Sequence, residues 1–134
     1  MKAAKINEYL IIVEDSDDDY EITLAALEQG SKPDLEIFRA KNAHELMSIL
    51  TNQTYLPKLI IMDLNLPGQD GTNILAELKE NSLYKELNVV ILTTSDHHKD
   101  AELCELYGAK QVLHKNIDMD KFFSDIAAFK KLWF

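Results

Sequence analysis

The sequence predicts an α/β domain: a parallel sheet of five strands covered by helices on both faces. Three observations predict it. Five short apolar or β-branched runs recur along the 134 residues. Three of these runs lack polar alternation, which is the pattern of strands buried on both faces. Segments with helical spacing lie between the runs, and alternating β and α units imply parallel strands joined by right-handed crossovers.

The first run is YLIIV, Tyr9–Val13. Tyr20, Leu24 and Leu27 then recur at i, i+4, i+7, the spacing of one helix face. Ser16 or Asp17 is placed to cap that helix, and Asp17, Asp18 and Asp19 favour the positive end of its dipole. Gly30 follows it, where a C-terminus favours a left-handed residue. LEIF (35–38) is the second strand, and Leu46, Ile49 and Leu50 mark the second helix. KLIIM (58–62) is the third strand, followed by a Pro67-Gly68 turn and a helix striped by Ile74, Leu75 and Leu78. NVVIL (88–92) is the fourth; Leu103, Leu106 and Tyr107 mark the next helix, and Gly108 ends it. KQVLH (110–114) is the fifth strand. The last helix carries Phe122, Ile126, Phe129 and Trp133.

The length suits one domain spanning 1–134, with an ordered core over about 8–132 and no further output domain. Hydrophobic residues make up 46% of the chain, enough for a packed globule. The net charge of −9 excludes a surface built for nucleic acid phosphates or anionic lipid. Cys104 is alone, so neither an internal disulfide nor a multi-cysteine metal site is possible. No apolar run approaches the roughly 20 residues of a membrane span, and a cytoplasmic location is expected.

In such a sheet, functional groups collect beyond the carboxyl ends of the strands. Glu14, Asp15, Ser16, Asp17, Asp18 and Asp19 follow the first strand. Asp63 and Asn65 follow the third, Thr93, Thr94 and Ser95 the fourth, and Lys115 the fifth. Carboxylates gathered at one rim repel unless a cation intervenes. Magnesium suits such a place, because it takes a few carboxylates and keeps open positions for water or phosphate oxygens. Asp15, Asp63 and a backbone carbonyl near Asn65 are the candidate ligands. A carboxylate beside such an ion is also a candidate nucleophile for phosphoryl transfer, with the Lys115 ammonium and the Thr93 hydroxyl placed to stabilise the transferred group. His44, His97, His98 and His114 show no convergent metal spacing. Cys104 reads as a small core residue.

These blocks together resemble the receiver domain of two-component response regulators, the CheY-like superfamily. The resemblance rests on VED (13–15), IIMDLNLPGQDG (60–71), VILTTS (90–95) and GAKQVLHK (108–115), in that order and spacing. It implies a flavodoxin-like sheet of order 2-1-3-4-5, and phosphorylation of one aspartate by a histidine kinase or histidine phosphotransfer protein with Mg²⁺. Asp63 matches the phosphoacceptor and Asp15 the direct metal ligand. Glu14 matches the acid acting through water, and Asn65 the residue whose carbonyl binds the ion. Thr93 matches the switch hydroxyl, Lys115 the phosphoryl-pairing lysine and Gly71 the turn glycine. The resemblance implies a signalling protein that catalyses only its own phosphorylation and dephosphorylation, with its readout on helix 4, strand 5 and helix 5. The FKKLWF tail is similar to single-domain regulators that serve phytochrome-type and hybrid kinases, and its terminal aromatics point to a homodimer through the last helix.

Two positions depart from the family pattern. Asn116 stands where proline usually follows the lysine; the Lys115–Asn116 bond is therefore either trans in a rearranged loop, or cis and strained. Val112 stands where an aromatic rotamer switch is common. Two rival readings are a degenerate receiver acting as a constitutive interaction module and an aspartyl-phosphate phosphatase. Asn65 counts against the second, since those hydrolases usually place an acid there.

Overall fold

A computed structural model describes residues 8–30, 34–66, 68–94 and 98–134, with 98–100 described by backbone alone. The expected order of five strands and five helices is present. The long strands are β1 (Tyr9–Val13), β2 (Glu36–Ala40), β3 (Leu59–Met62), β6 (Val89–Thr93) and β7 (Gln111–His114). They form one parallel sheet in the order β2-β1-β3-β6-β7, which is the predicted 2-1-3-4-5. The second strand lies further along the chain than the 35–38 predicted for it. Its extension to Ala40 follows from pairing with all of β1, residue for residue from Tyr9↔Glu36 to Val13↔Ala40.

The helices are α1 (Asp17–Glu28), α2 (Ala43–Asn52), α3 (Gly71–Glu80), α4 (His98–Leu106) and α5 (Met119–Trp133). Because successive strand side chains point to opposite faces, the sheet feeds two cores. Ile11, Val13, Ile60, Met62, Val89 and Ile91 pack on α2, α3 and α4. Leu10, Ile12, Leu59, Ile61, Val90 and Leu92 pack on α1 and α5. Each such side chain, fully buried, contributes about 1.5–3 kcal/mol. This explains the unbroken apolar runs of β1, β3 and β6: neither face of these central strands is wet.

Two helix faces differ from the predicted stripes. In α1 the buried positions are Thr23, Ala26 and Leu27, with Tyr20 and Leu24 only partly covered. In α4 the expected stripe is turned outward: Leu106 is 76% exposed and Leu103 and Tyr107 are also open. Cys104 fills the core position instead, as predicted for the thiol itself. The physical reason lies at the end of the helix. Gly108 takes φ +93°, and Gly108 N–H and Ala109 N–H donate to the carbonyls of Glu105 and Cys104. This Schellman closure leads straight into β7 and sets which side of the short helix meets the sheet. Gly30 takes the expected positive φ after α1.

After β3, β4 (Asn65–Leu66) pairs antiparallel with β5 (Gln69–Asp70) on either side of the predicted Pro67-Gly68 turn, of which Pro67 lies outside the described residues. At the C-terminus Trp133 is partly covered and donates from Nε1 to Gln111 Oε1 at 3.3 Å. Both Trp133 and Phe134 contact the Phe129 ring, so these aromatics are engaged within the chain itself. No described helix is long and apolar enough to cross a membrane.

Candidate functional site

The sheet ladder continues one residue past three strand ends, and each continuation anchors a site residue. Glu14 N–H donates to Ala40 O at 2.9 Å, Asp63 N–H to Val13 O at 3.1 Å, and Lys115 N–H to Thr93 O at 2.7 Å. The backbones of Glu14, Asp63 and Lys115 are thus fixed by neighbouring strands rather than by free loops. Thr93 closes β6 and is buried.

The side chains converge. Lys115 Nζ lies 2.6 Å from Glu14 Oε1, 3.4 Å from Asp19 Oδ2 and 3.7 Å from Asp63 Oδ2. Glu14, Asp15 and Asp63 each offer a carboxylate oxygen, and these oxygens all lie within 4.8 Å of one another. Glu14 and Asp63 are buried, whereas Asp15 is open to solvent. Asn65 is exposed, and its N–H donates to Asp63 Oδ1 at 3.3 Å. Glu14, Asp15, Asp63, Asn65 and Lys115 therefore meet at this rim, and Thr93 ends the neighbouring strand beside it. Asp19, expected to favour the helix dipole, joins it as a third acidic partner of Lys115. The cap itself is Ser16, whose hydroxyl accepts from Asp19 N–H at 3.2 Å.

Burial shapes the charges. It pushes the Glu14 carboxyl above its usual 4.5, against the opposing pull of its hydrogen bond to Lys115. Burial also pulls on Lys115 in the neutralising direction, but the hydrogen bond to Glu14 and the charges of Asp63, Glu14 and Asp19 outweigh it. The ammonium ends above its usual value and stays charged at neutral pH.

One ammonium meets the carboxylates of Glu14, Asp19 and Asp63, and Asp15 adds a further carboxylate beside them, which leaves excess negative charge at the rim. The donors are all hard oxygens, and Asp15 makes no side-chain hydrogen bond or ion pair among the described residues. That combination fits a hard divalent cation. Among the described residues this is the one cluster of its kind; His44 and His114 lie outside it, and Ser95, His97 and the His98 side chain lie outside the described residues.

Gly71, the first residue of α3, fixes the far side. A Cβ built on it would lie 2.8 Å from both Asp63 O and Leu64 Cα, and its N–H donates to Leu64 O at 2.8 Å. The predicted turn glycine is in fact the place where a helix start presses on the backbone of Asp63. The Lys115–Asn116 bond is trans, and Asn116 shapes the following turn by accepting from Asp118 N–H at 3.0 Å. Of the two outcomes open for Asn116, the rearranged loop is the one present.

The family model for the response regulator receiver domain matches residues 10–127. The response regulator Rcp1 of Synechocystis sp. is 30% identical over 129 residues, covering 92% of this chain and 87% of that protein. A crystal structure of the Mn²⁺-bound form of Rcp1 superposes with a TM-score of 0.83 at 28% identity, covering 93% of both chains. The phosphorylated cyanobacterial phytochrome response regulator RcpA gives the same TM-score at 27% identity, covering 93% of this chain and 92% of that one.

Proposed function

The chain belongs to the response regulator receiver domain family, and from that premise we propose that it is a phosphorelay switch whose Asp63 accepts a phosphoryl group. Receiver domains interact with histidine kinases or phosphotransfer proteins and bind Mg²⁺ at an acidic pocket. In this reading the donor is a phosphohistidine on such a partner. An Asp63 carboxylate oxygen attacks phosphorus, the P–N bond breaks, and the electron pair leaves with the imidazole nitrogen. An acyl phosphate remains on Asp63. The protein has no separate substrate.

The observation that carries this reading is the placement of Lys115 within 3.7 Å of Asp63 and 2.6 Å of Glu14. The ammonium stands ready for phosphoryl oxygens while Glu14 holds it in place. Thr93, closing the neighbouring strand, supplies a hydroxyl donor for the same group. Asp15, Asp63, Glu14 through water and the Asn65 carbonyl would hold Mg²⁺, which supplies charge neutralisation between phosphoryl oxygens and carboxylates. Phosphorylation adds a charge of about −1.5 to −2 at a rigid rim. The response is a shift in the population of a pre-existing conformation, read by a protein partner.

The test is Mg²⁺ with beryllofluoride, a phosphoryl mimic, followed by amide chemical shifts. Saturable shifts at Asp15, Asp63, Thr93 and Lys115 are expected. A spectrum unchanged by beryllofluoride while Mg²⁺ still binds would instead fit a constitutive interaction module.

A further inference from the structure

Arg39 lies one residue before the end of β2, outside the carboxylate cluster, yet its guanidinium makes two contacts to the loop that carries the cluster and two to the start of α1. Nε donates to Glu14 O at 3.2 Å and Nη2 to Asp15 O at 3.3 Å. Nη1 pairs with Asp17 Oδ1 at 2.7 Å. The guanidinium carbon lies 4.6 Å from the Tyr20 ring centroid, over its face. Only 19% of the Arg39 side chain is exposed, although Asp17 is 75% exposed.

We propose that Arg39 is the positioning residue of the β1–α1 loop: its fork holds the Glu14 and Asp15 carbonyls, and so keeps the Asp15 carboxylate beside Asp63. The loop needs such a holder. Glu14 is anchored by its N–H to Ala40 O, but among the described residues no backbone bond to a neighbouring strand holds Asp15. Five of the six residues from Glu14 to Asp19 are acidic, and their mutual repulsion favours opening. Lys115 offsets that repulsion on the inner side through Glu14 and Asp19, and Arg39 offsets it on the outer side through Asp17. The exposed Asp17 pair is worth little by itself. The two carbonyl bonds are the specific part, because they need a planar fork with separate donors. A lysine ammonium, with its different geometry, does not reproduce them.

The consequence for the cation rests on the reading of Asp15 as a metal ligand; the effect on the loop does not. Two measurements on Arg39→Met, Arg39→Lys and Asp17→Asn separate these. The first is amide hydrogen exchange at Glu14, Ser16 and Asp19 in metal-free protein, below the unfolding transition of every variant. Arg39→Met and Arg39→Lys are expected to speed exchange at these amides selectively, and Asp17→Asn to leave it near wild type. The second is Mn²⁺ affinity by electron paramagnetic resonance, where both Arg39 variants should bind about 10-fold or more weakly, as residues that orient ligands generally do. Exchange unchanged in Arg39→Met overturns the proposal. So does wild-type behaviour of Arg39→Lys, because charge alone would then suffice. If the wild type binds no Mn²⁺, the metal reading of the rim fails, and hydrogen exchange still decides on the clamp.

Discussion

Gly71 and Asp63 are in backbone contact: a Cβ on Gly71 would lie 2.8 Å from the Asp63 carbonyl oxygen. Helix α3 begins against the residue whose carboxylate sits at the centre of the rim. Neither contacting atom is the flexible end of a side chain, so an added methyl has nothing soft to displace. Gly71→Ala is expected to destabilise the domain by about 1–3 kcal/mol, the range for overpacking. It should also displace Asp63 and slow its phosphorylation. Urea unfolding and acetyl phosphate labelling check the two effects separately.

Lys115 neutralises carboxylates that burial makes costly. Lys115→Met leaves Glu14 without its partner at 2.6 Å. Stability of the metal-free protein at pH 7 should fall by about 3 kcal/mol, the scale for breaking a buried pair. Burial already holds the Glu14 carboxyl above 4.5, so lowering the pH protonates it and the deficit of the variant should shrink. Unfolding curves with a chelator present, at pH 7 and at lower pH, measure this.

Tyr9 is buried, and its hydroxyl donates to Tyr55 O at 2.6 Å. Burial, with the proximity of Tyr84, raises the phenol above its ordinary 10.0. A raised pKa in the folded state means a contribution that is complete below pH 10 and disappears as pH rises through the folded value. Tyr9→Phe should lose about 1 kcal/mol at pH 7, the usual net worth of a hydrogen bond. It should also show a shallower loss of stability than wild type above pH 10.

The outward stripe of α4 makes a direct contrast with α3. Leu106→Ala should change stability by less than about 0.5 kcal/mol, as at other open surface sites. Leu78→Ala, in the core, should cost about 2–5 kcal/mol. Thermal unfolding of the two variants side by side tests whether Leu106 faces solvent.

These contrasts also show what was legible in the chain. Strands buried on both faces announce themselves by unbroken runs, so Leu10–Val13 and Leu59–Met62 read plainly. The first polar residue after each run is the rim, which is why Asp63, Glu14 and Lys115 read as one group from the sequence. Short helices read less well. Among the described side chains of α4, the small Cys104 makes the core contact, and the larger Leu103 and Leu106, with Tyr107 just beyond the helix, are exposed. Periodicity weights size and hydropathy, so it selected the wrong face. In α1 the buried Thr23 and Ala26 carried too little hydropathy to outweigh Leu24. Arg39 gave no signal, because a cation near a strand end usually means solvent. Its role depends on the Glu14 and Asp15 carbonyls, and no residue type encodes where those point. Asp19 was hidden among carboxylates that genuinely favour a helix start.

Intact mass after incubation with Mg²⁺ and acetyl phosphate, for wild type beside Asp63→Asn, tests the phosphoacceptor most directly. If Asp63 is the acceptor, the wild type gains one phosphoryl group, the gain requires Mg²⁺, and Asp63→Asn gains none. A phosphoryl group that persists in Asp63→Asn, or a wild type that binds Mg²⁺ yet stays unmodified, would contradict it.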